Sequence, residues 1–132
     1  MSEHNKMLSA ALIVIGAAFC LIYPLAMVWP SGWAWHEGSP AANDYFMMIV
    51  GVYATLGIFL IRAAKDPLAN ASLIWFTVWS SVVHAGIMAV QSMTEPMRMG
   101  HMMGDVPVLL LVAIVLALLM VRVGANRTAA AA

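Results

Sequence analysis

The chain has 132 residues, 64% of them hydrophobic and only 9% charged, with a mean hydropathy of +0.91 and no net charge. A soluble domain carries about 25% charged residues, so this composition excludes an ordinary soluble fold. The neutral balance also offers no basic face to nucleic acid. One cysteine, Cys20, excludes an intrachain disulfide.

Four stretches, 7–29, 45–61, 67–94 and 106–121, contain no Asp, Glu, Lys or Arg. A hydrocarbon core about 30 Å thick takes about 20 helical residues to cross. Lipid offers no partner to an unpaired backbone N–H or C=O, so each stretch reads as a transmembrane helix. The prediction is an all-α fold: an integral membrane four-helix bundle in one domain, residues 1–132. Its spans fall near 7–29, 43–62, 68–93 and 100–122.

The first span is longer than a signal-peptide core of about 7–15 residues, and only Lys6 precedes it with positive charge. It reads as a retained helix, kinked near 20–23 because Pro24 lacks a backbone donor. Pro30, Gly32, Gly38 and Pro40 mark 30–40 as a loop. Its Trp33 and Trp35, with Trp29, suit a headgroup layer, where an indole keeps its ring apolar and its N–H wet. The second span ends near Arg62, and 62–67 is a tight connection. Asn70 caps or begins the third. The fourth starts either at Asp105, as N-cap ahead of Pro107, or as a kinked helix from near Met97. The alanine-rich tail, 128–132, reads as disordered.

Lys6, Arg62, Lys65, Arg122 and Arg127 all fall on one side of a four-span chain, and Arg98 alone on the other. That asymmetry over short loops predicts both termini in the cytoplasm. The outer face then carries Glu37, Asp44, Glu95 and Asp105, with His36 and His101.

The sharpest chemical pattern lies in the third span. At 100° per residue, Thr77, Ser80, Ser81, Met88, Gln91 and Glu95 fall within about 60° of His84. Trp75 and Trp79 point the other way. An ionisable group inside hydrocarbon is expensive and should face the bundle interior, so this stripe is expected to face protein. In the second span Asp44, Met48, Gly51, Thr55 and Arg62 share a face, and the small Gly51 and Thr55 permit close helix approach. His101 and Asp105, four apart, share a face if helical. The expected polar cluster is Asp44, Ser80, His84, Gln91, Glu95, His101 and Asp105. Its structural reading is interhelical hydrogen bonding that fixes register, worth about 0.6 kcal/mol per contact.

Six of the twelve methionines lie between Met88 and Met103. Thioethers are soft ligands for Cu(I), and imidazole can complete such a site. Met97, Met99, His101, Met102 and Met103 are thus candidate copper ligands. The competing reading is adaptable packing, and Gly100 and Gly104 argue against a preformed site. His84 and His101 are conceivable axial ligands for haem. Neither cofactor is predicted.

Asp66-Pro67-Leu68, the run 72–91 from Ser72 through His84 to Gln91, Gly104-Asp105-Val106-Pro107 and Val50-Gly51-Val52-Tyr53-Ala54-Thr55-Leu56-Gly57 carry a resemblance. They resemble an uncharacterised family of small bacterial multi-spanning membrane proteins of unknown function. The resemblance covers most of the second to fourth spans and leaves the Met-rich linker unmatched. It implies a multi-pass protein of the bacterial inner membrane, and no activity.

No Gly-rich phosphate loop, His-Glu-x-x-His pair or Gly-x-Ser-x-Gly elbow is present, so no catalytic residue is assigned. The leading expectation is an accessory or interaction subunit, its partners the bilayer and another membrane protein or a second copy. The first alternative is a binding or transport module for a small molecule or proton, built on the polar stripe around His84. The second is an outer-face copper- or haem-binding protein.

Overall fold

The computed structural model describes residues 3–29, 40–94 and 99–130, and within these there are helices and no strand. The first helix, α1, runs Glu3–Cys20. Leu8, Leu12, Ile15 and Phe19 are buried on it at spacings of three and four, one face of a helix. A second, α2, spans Ile22–Val28 and leaves α1 at 61°. Pro24 is the cause: it has no N–H to offer the Cys20 carbonyl, and its ring crowds that turn. The break falls in the expected interval, but it divides the segment into two helices instead of kinking one.

After a 3-10 turn at Pro40–Ala42, α3 covers Asp44–Ala63. The Asn43 side chain accepts from the Phe46 N–H at 2.9 Å and caps it. In the turn that follows, Asp66 Oδ1 accepts from the Ala69 N–H at 3.2 Å. The Asn70 side chain does not cap the next helix: its amide donates back to the Asp66 carbonyl at 2.8 Å, while the Asn70 carbonyl accepts from the Ile74 N–H. Helix α4 then runs Ala71–Thr94.

Of the two proposed starts, Asp105 opens the long last helix, and Met97 lies outside the described residues. A single turn, α5 (Gly100–Met103), breaks at Gly104 before α6 (Asp105–Ala130). Pro107 sits in the first turn of α6, where its missing N–H leaves no intrahelical bond unmade. Asp105 is the first helical residue and not the cap. The tail expected to be disordered is helical as far as Ala130, since alanine is the best helix former.

Helices α3, α4 and α6 are each long and apolar enough to cross a membrane; α1 and α2 make a fourth crossing if the bent pair is one span. Large apolar side chains cover their outsides, among them Val14, Val52, Phe76, Val83 and Leu111. Such an exterior suggests a membrane protein.

Packing runs α3 on α1, α1 on α6, and α6 on α4. The core is built from Leu8, Leu12, Leu60, Ile74 and Leu116, all fully buried. Where α1 crosses α3, Gly16 faces Gly57: a Cβ on Gly16 would lie 2.6 Å from the Gly57 carbonyl oxygen. This is the close approach expected at Gly51 and Thr55. Both of those are exposed, and nothing lies within 4 Å of a Cβ built on Gly51. The small pair that matters on α1 is Gly16 with Cys20, whose thiol donates to the Ala54 carbonyl at 3.6 Å.

Candidate functional site

Helices α3 and α4 follow one another in sequence, yet each packs mainly elsewhere, and a groove of about 600 Å³ lies between them. Its α3 wall is Tyr45, Met48, Ile49, Val52 and Tyr53. Its α4 wall is Ser80, Val83, His84, Ile87, Met88 and Gln91. Both sets advance by alternating threes and ones, the stripe of one helix face. The two faces oppose each other without closing. The volume falls within the range of small-molecule sites, about 300–1,000 Å³, and no lining residue is Asp, Glu, Lys or Arg.

One pair of side chains joins the walls. The Tyr53 oxygen and His84 Nδ1 are 2.6 Å apart, with ring centroids at 5.7 Å. Phe19 of α1 packs edge-on against the Tyr53 ring, centroids 4.9 Å apart, and fixes its plane. Tyr53 lies about 14 Å from the start of α3, and His84 about 15 Å from the end of α4, at 1.5 Å per residue. The pair therefore sits near the middle of both helices, and the groove extends from it towards Tyr45 and Gln91.

Neutral Tyr53 and neutral His84 can share their bond in two ways. If the phenol donates to Nδ1, imidazole Nε2–H is left as a donor. If Nδ1–H donates to the phenol oxygen, the phenolic O–H is left. Either arrangement keeps one spare donor on the pair. Ser80 adds none, because its hydroxyl donates to the Thr77 carbonyl at 3.3 Å.

Behind the pair is a second one. His101 Nδ1 lies 2.9 and 3.0 Å from the two Asp105 carboxylate oxygens, and the side chains are 12% and 8% exposed. Asp105 is an electrostatic neighbour of both His84 and Tyr53, and His101 of His84. Ala85, Val106 and Leu109 form the apolar packing around Tyr53 and Met88.

Ser80, His84 and Gln91 line the same α4 wall of the groove, and Asp105 and His101 are electrostatic neighbours of His84. Asp44 does not join them. It is exposed in the first turn of α3, where a carboxylate complements the helix dipole. Glu95 and Met97 lie outside the described residues, as do Trp33, Trp35, His36, Glu37 and Arg98.

The polar stripe of α4 divides in two. Thr77, Ser81 and Ser92 are buried, while Ser80, His84, Met88 and Gln91 face the groove. Thr77 and Ser92 hydroxyls donate to their own helix, to the Leu73 and Met88 carbonyls at 2.9 and 2.8 Å. Those bonds satisfy the hydroxyls locally. Trp79 is 63% exposed, and Trp75 packs partly buried against the core. Met99, Met102 and Met103 are exposed. Among the described residues no three His, Cys, Asp or Glu side chains cluster as metal ligands.

Tyr53 is the site residue that the sequence pattern concealed. Tyrosine counts as apolar in a hydropathy reading, and only the two tyrosines at Tyr45 and Tyr53 on one α3 face hinted at it.

Described residues that form helices and no strand, three of the helices apolar and long enough to cross a membrane, with an open groove between two of them, suggest the class: a small helical protein of membrane type. More particularly, the chain belongs to the family of unknown function DUF6632, whose model matches residues 2–132. No curated protein and no solved structure gave a match.

Proposed function

We propose that this is a multi-pass protein of the bacterial inner membrane that binds a lipid-soluble small molecule in the groove between α3 and α4. The observation that carries the reading is the Tyr53–His84 pair at 2.6 Å, at the mid-helix end of an apolar groove of about 600 Å³. Polar groups in hydrocarbon are costly, and a groove open along its length presents these two to whatever enters from the bilayer. The bent α1–α2 pair counts as one span in this reading, and the charge asymmetry of the loops places both termini inside. The groove then opens in the outer leaflet.

Native mass spectrometry of the purified full chain tests the function. One small molecule per chain is expected, lost in His84→Ala with the melting temperature little changed. Unchanged retention together with a lowered melting temperature would make the pair a structural tie and end the binding reading. Orientation is tested in a Cys20→Ser background with single cysteines at Ser39 and Lys65. Ser39→Cys is expected to react from outside and Lys65→Cys only after permeabilisation; the reverse pattern overturns the topology.

A second reading, an accessory subunit, is favoured by the exposed α4 side chains Phe76, Trp79 and Val83. Size-exclusion chromatography in mild detergent decides it, and a single monomeric species sinks it. No bound metal or haem is expected. Copper-supplemented growth followed by elemental analysis and a Soret-region spectrum should give neither stoichiometric copper nor haem. One copper per chain, lost in Met99→Leu/His101→Ala, would restore the outer-face copper reading.

A further inference from the structure

We infer that the groove ligand is a neutral, planar, carbonyl-bearing ring with an apolar tail, the chemistry of a quinone; this rests on the groove being a binding site, as proposed above. Three features of the groove select that class.

The first is the absence of charge. No lining side chain is Asp, Glu, Lys or Arg, and the nearby Asp105 carboxylate is already paired with His101, so an ionic headgroup would be desolvated without a free counter-charge. The ligand head is therefore neutral. The second is the spare donor. In either tautomeric arrangement the Tyr53–His84 pair retains one N–H or O–H beyond its own 2.6 Å bond. A part-buried donor on an apolar groove wall needs an acceptor, and a ring carbonyl is a neutral one.

The third is the character of the walls. Met48 and Met88 stand on opposite walls, and Tyr45 lies further along the α3 wall. Thioether sulfur makes favourable contacts with the edge of a conjugated ring, and aromatic rings pair with one another in offset or edge-on geometry. Val52 and Val83, 67% and 59% exposed, lie at the lipid side of the same walls. An alkyl or isoprenoid tail leaving the ring passes between them into the bilayer.

The test uses the full chain in nanodiscs, equilibrated with one of three probes: a decyl-tailed benzoquinone, decylbenzene, or methyl undecanoate. Bound probe is quantified by mass spectrometry against empty discs. The benzoquinone is expected to saturate at one per chain. His84→Leu should weaken it at least tenfold, and Tyr53→Phe less, because the imidazole keeps an N–H. Val52→Trp fills the groove from its exposed side, where no core packing is disturbed, and should abolish the binding even if His84→Leu fails to fold. The other two probes should not saturate.

If decylbenzene binds equally well and Val52→Trp blocks it, the groove is a site but the carbonyl class is overturned. Equal binding of methyl undecanoate overturns the planar ring in favour of an ester lipid. If no probe saturates, or Val52→Trp changes nothing, the groove reading itself fails.

Discussion

Gly57→Val should prevent stable assembly of the bundle, whereas Gly51→Ala on the same helix and Gly86→Ala on α4 should not. A Cβ on Gly57 overlaps the Gly16 carbonyl oxygen and comes within 2.9 Å of Cys20 Sγ. Its reciprocal on Gly16 meets the Gly57 carbonyl oxygen at 2.6 Å and the Ile61 side chain at 2.8 Å. The obstacle is backbone, which cannot rotate away as a side chain would. Overpacking that side chains can absorb costs about 1–3 kcal/mol. Here α1 and α3 must separate, and α3 has no comparable interface elsewhere, so the loss should reach or exceed about 3 kcal/mol. At Gly51 and Gly86 nothing lies within 4 Å of an added Cβ, and removing a helix-interior glycine gains about 0.5–1 kcal/mol. Thermal melting in detergent across the three variants provides the comparison. Wild-type melting of Gly57→Val would show that α1 and α3 do not meet at these glycines.

The contrast between Gly57 and Gly51 also explains what the sequence could and could not convey. The long helices were legible because charge-free runs of this length have few other solutions. The faces they bury were not. In a soluble helix polarity marks the outward side, but lipid accepts the same side chains that a protein core does. Gly51 and Thr55 thus looked as suitable for close packing as Gly57, although only Gly57 meets another helix. Thr77 and Ser81 looked like companions of His84 for the same reason, since an angular wheel cannot tell a groove from a packed interface within about 60° of it. His84 itself was legible because an ionisable ring in an apolar run is unusual. Its partner was not, because Tyr53 hides its hydroxyl behind an apolar ring. The breaks at Leu21 and Gly104 were legible in place, from Pro24 and from glycine, but not in size.

The largest side-chain effect near the site should come from His101→Ala, and it should exceed that of Asp105→Asn. The pair is 2.9 Å apart and nearly enclosed, with side chains 12% and 8% exposed. Removing the imidazole leaves a buried carboxylate with no side-chain partner among the described residues. Deleting one member of a buried pair costs about 3–5 kcal/mol. Asp105 opens a 26-residue helix, and the unpaired N–H groups there favour negative charge by about 0.3–2 kcal/mol. The cost should therefore fall near the lower end, about 3 kcal/mol. Asp105→Asn keeps an acceptor for the imidazole N–H and loses only the charge, so its cost should be nearer the 0.5–1.5 kcal/mol of an ordinary hydrogen bond, roughly. His101→Ala/Asp105→Ala removes both groups and should melt above His101→Ala, because no orphaned carboxylate remains. Melting curves for these three proteins form a coupling test. Additive losses, with the double variant the least stable, would mean that the two side chains do not act as a pair.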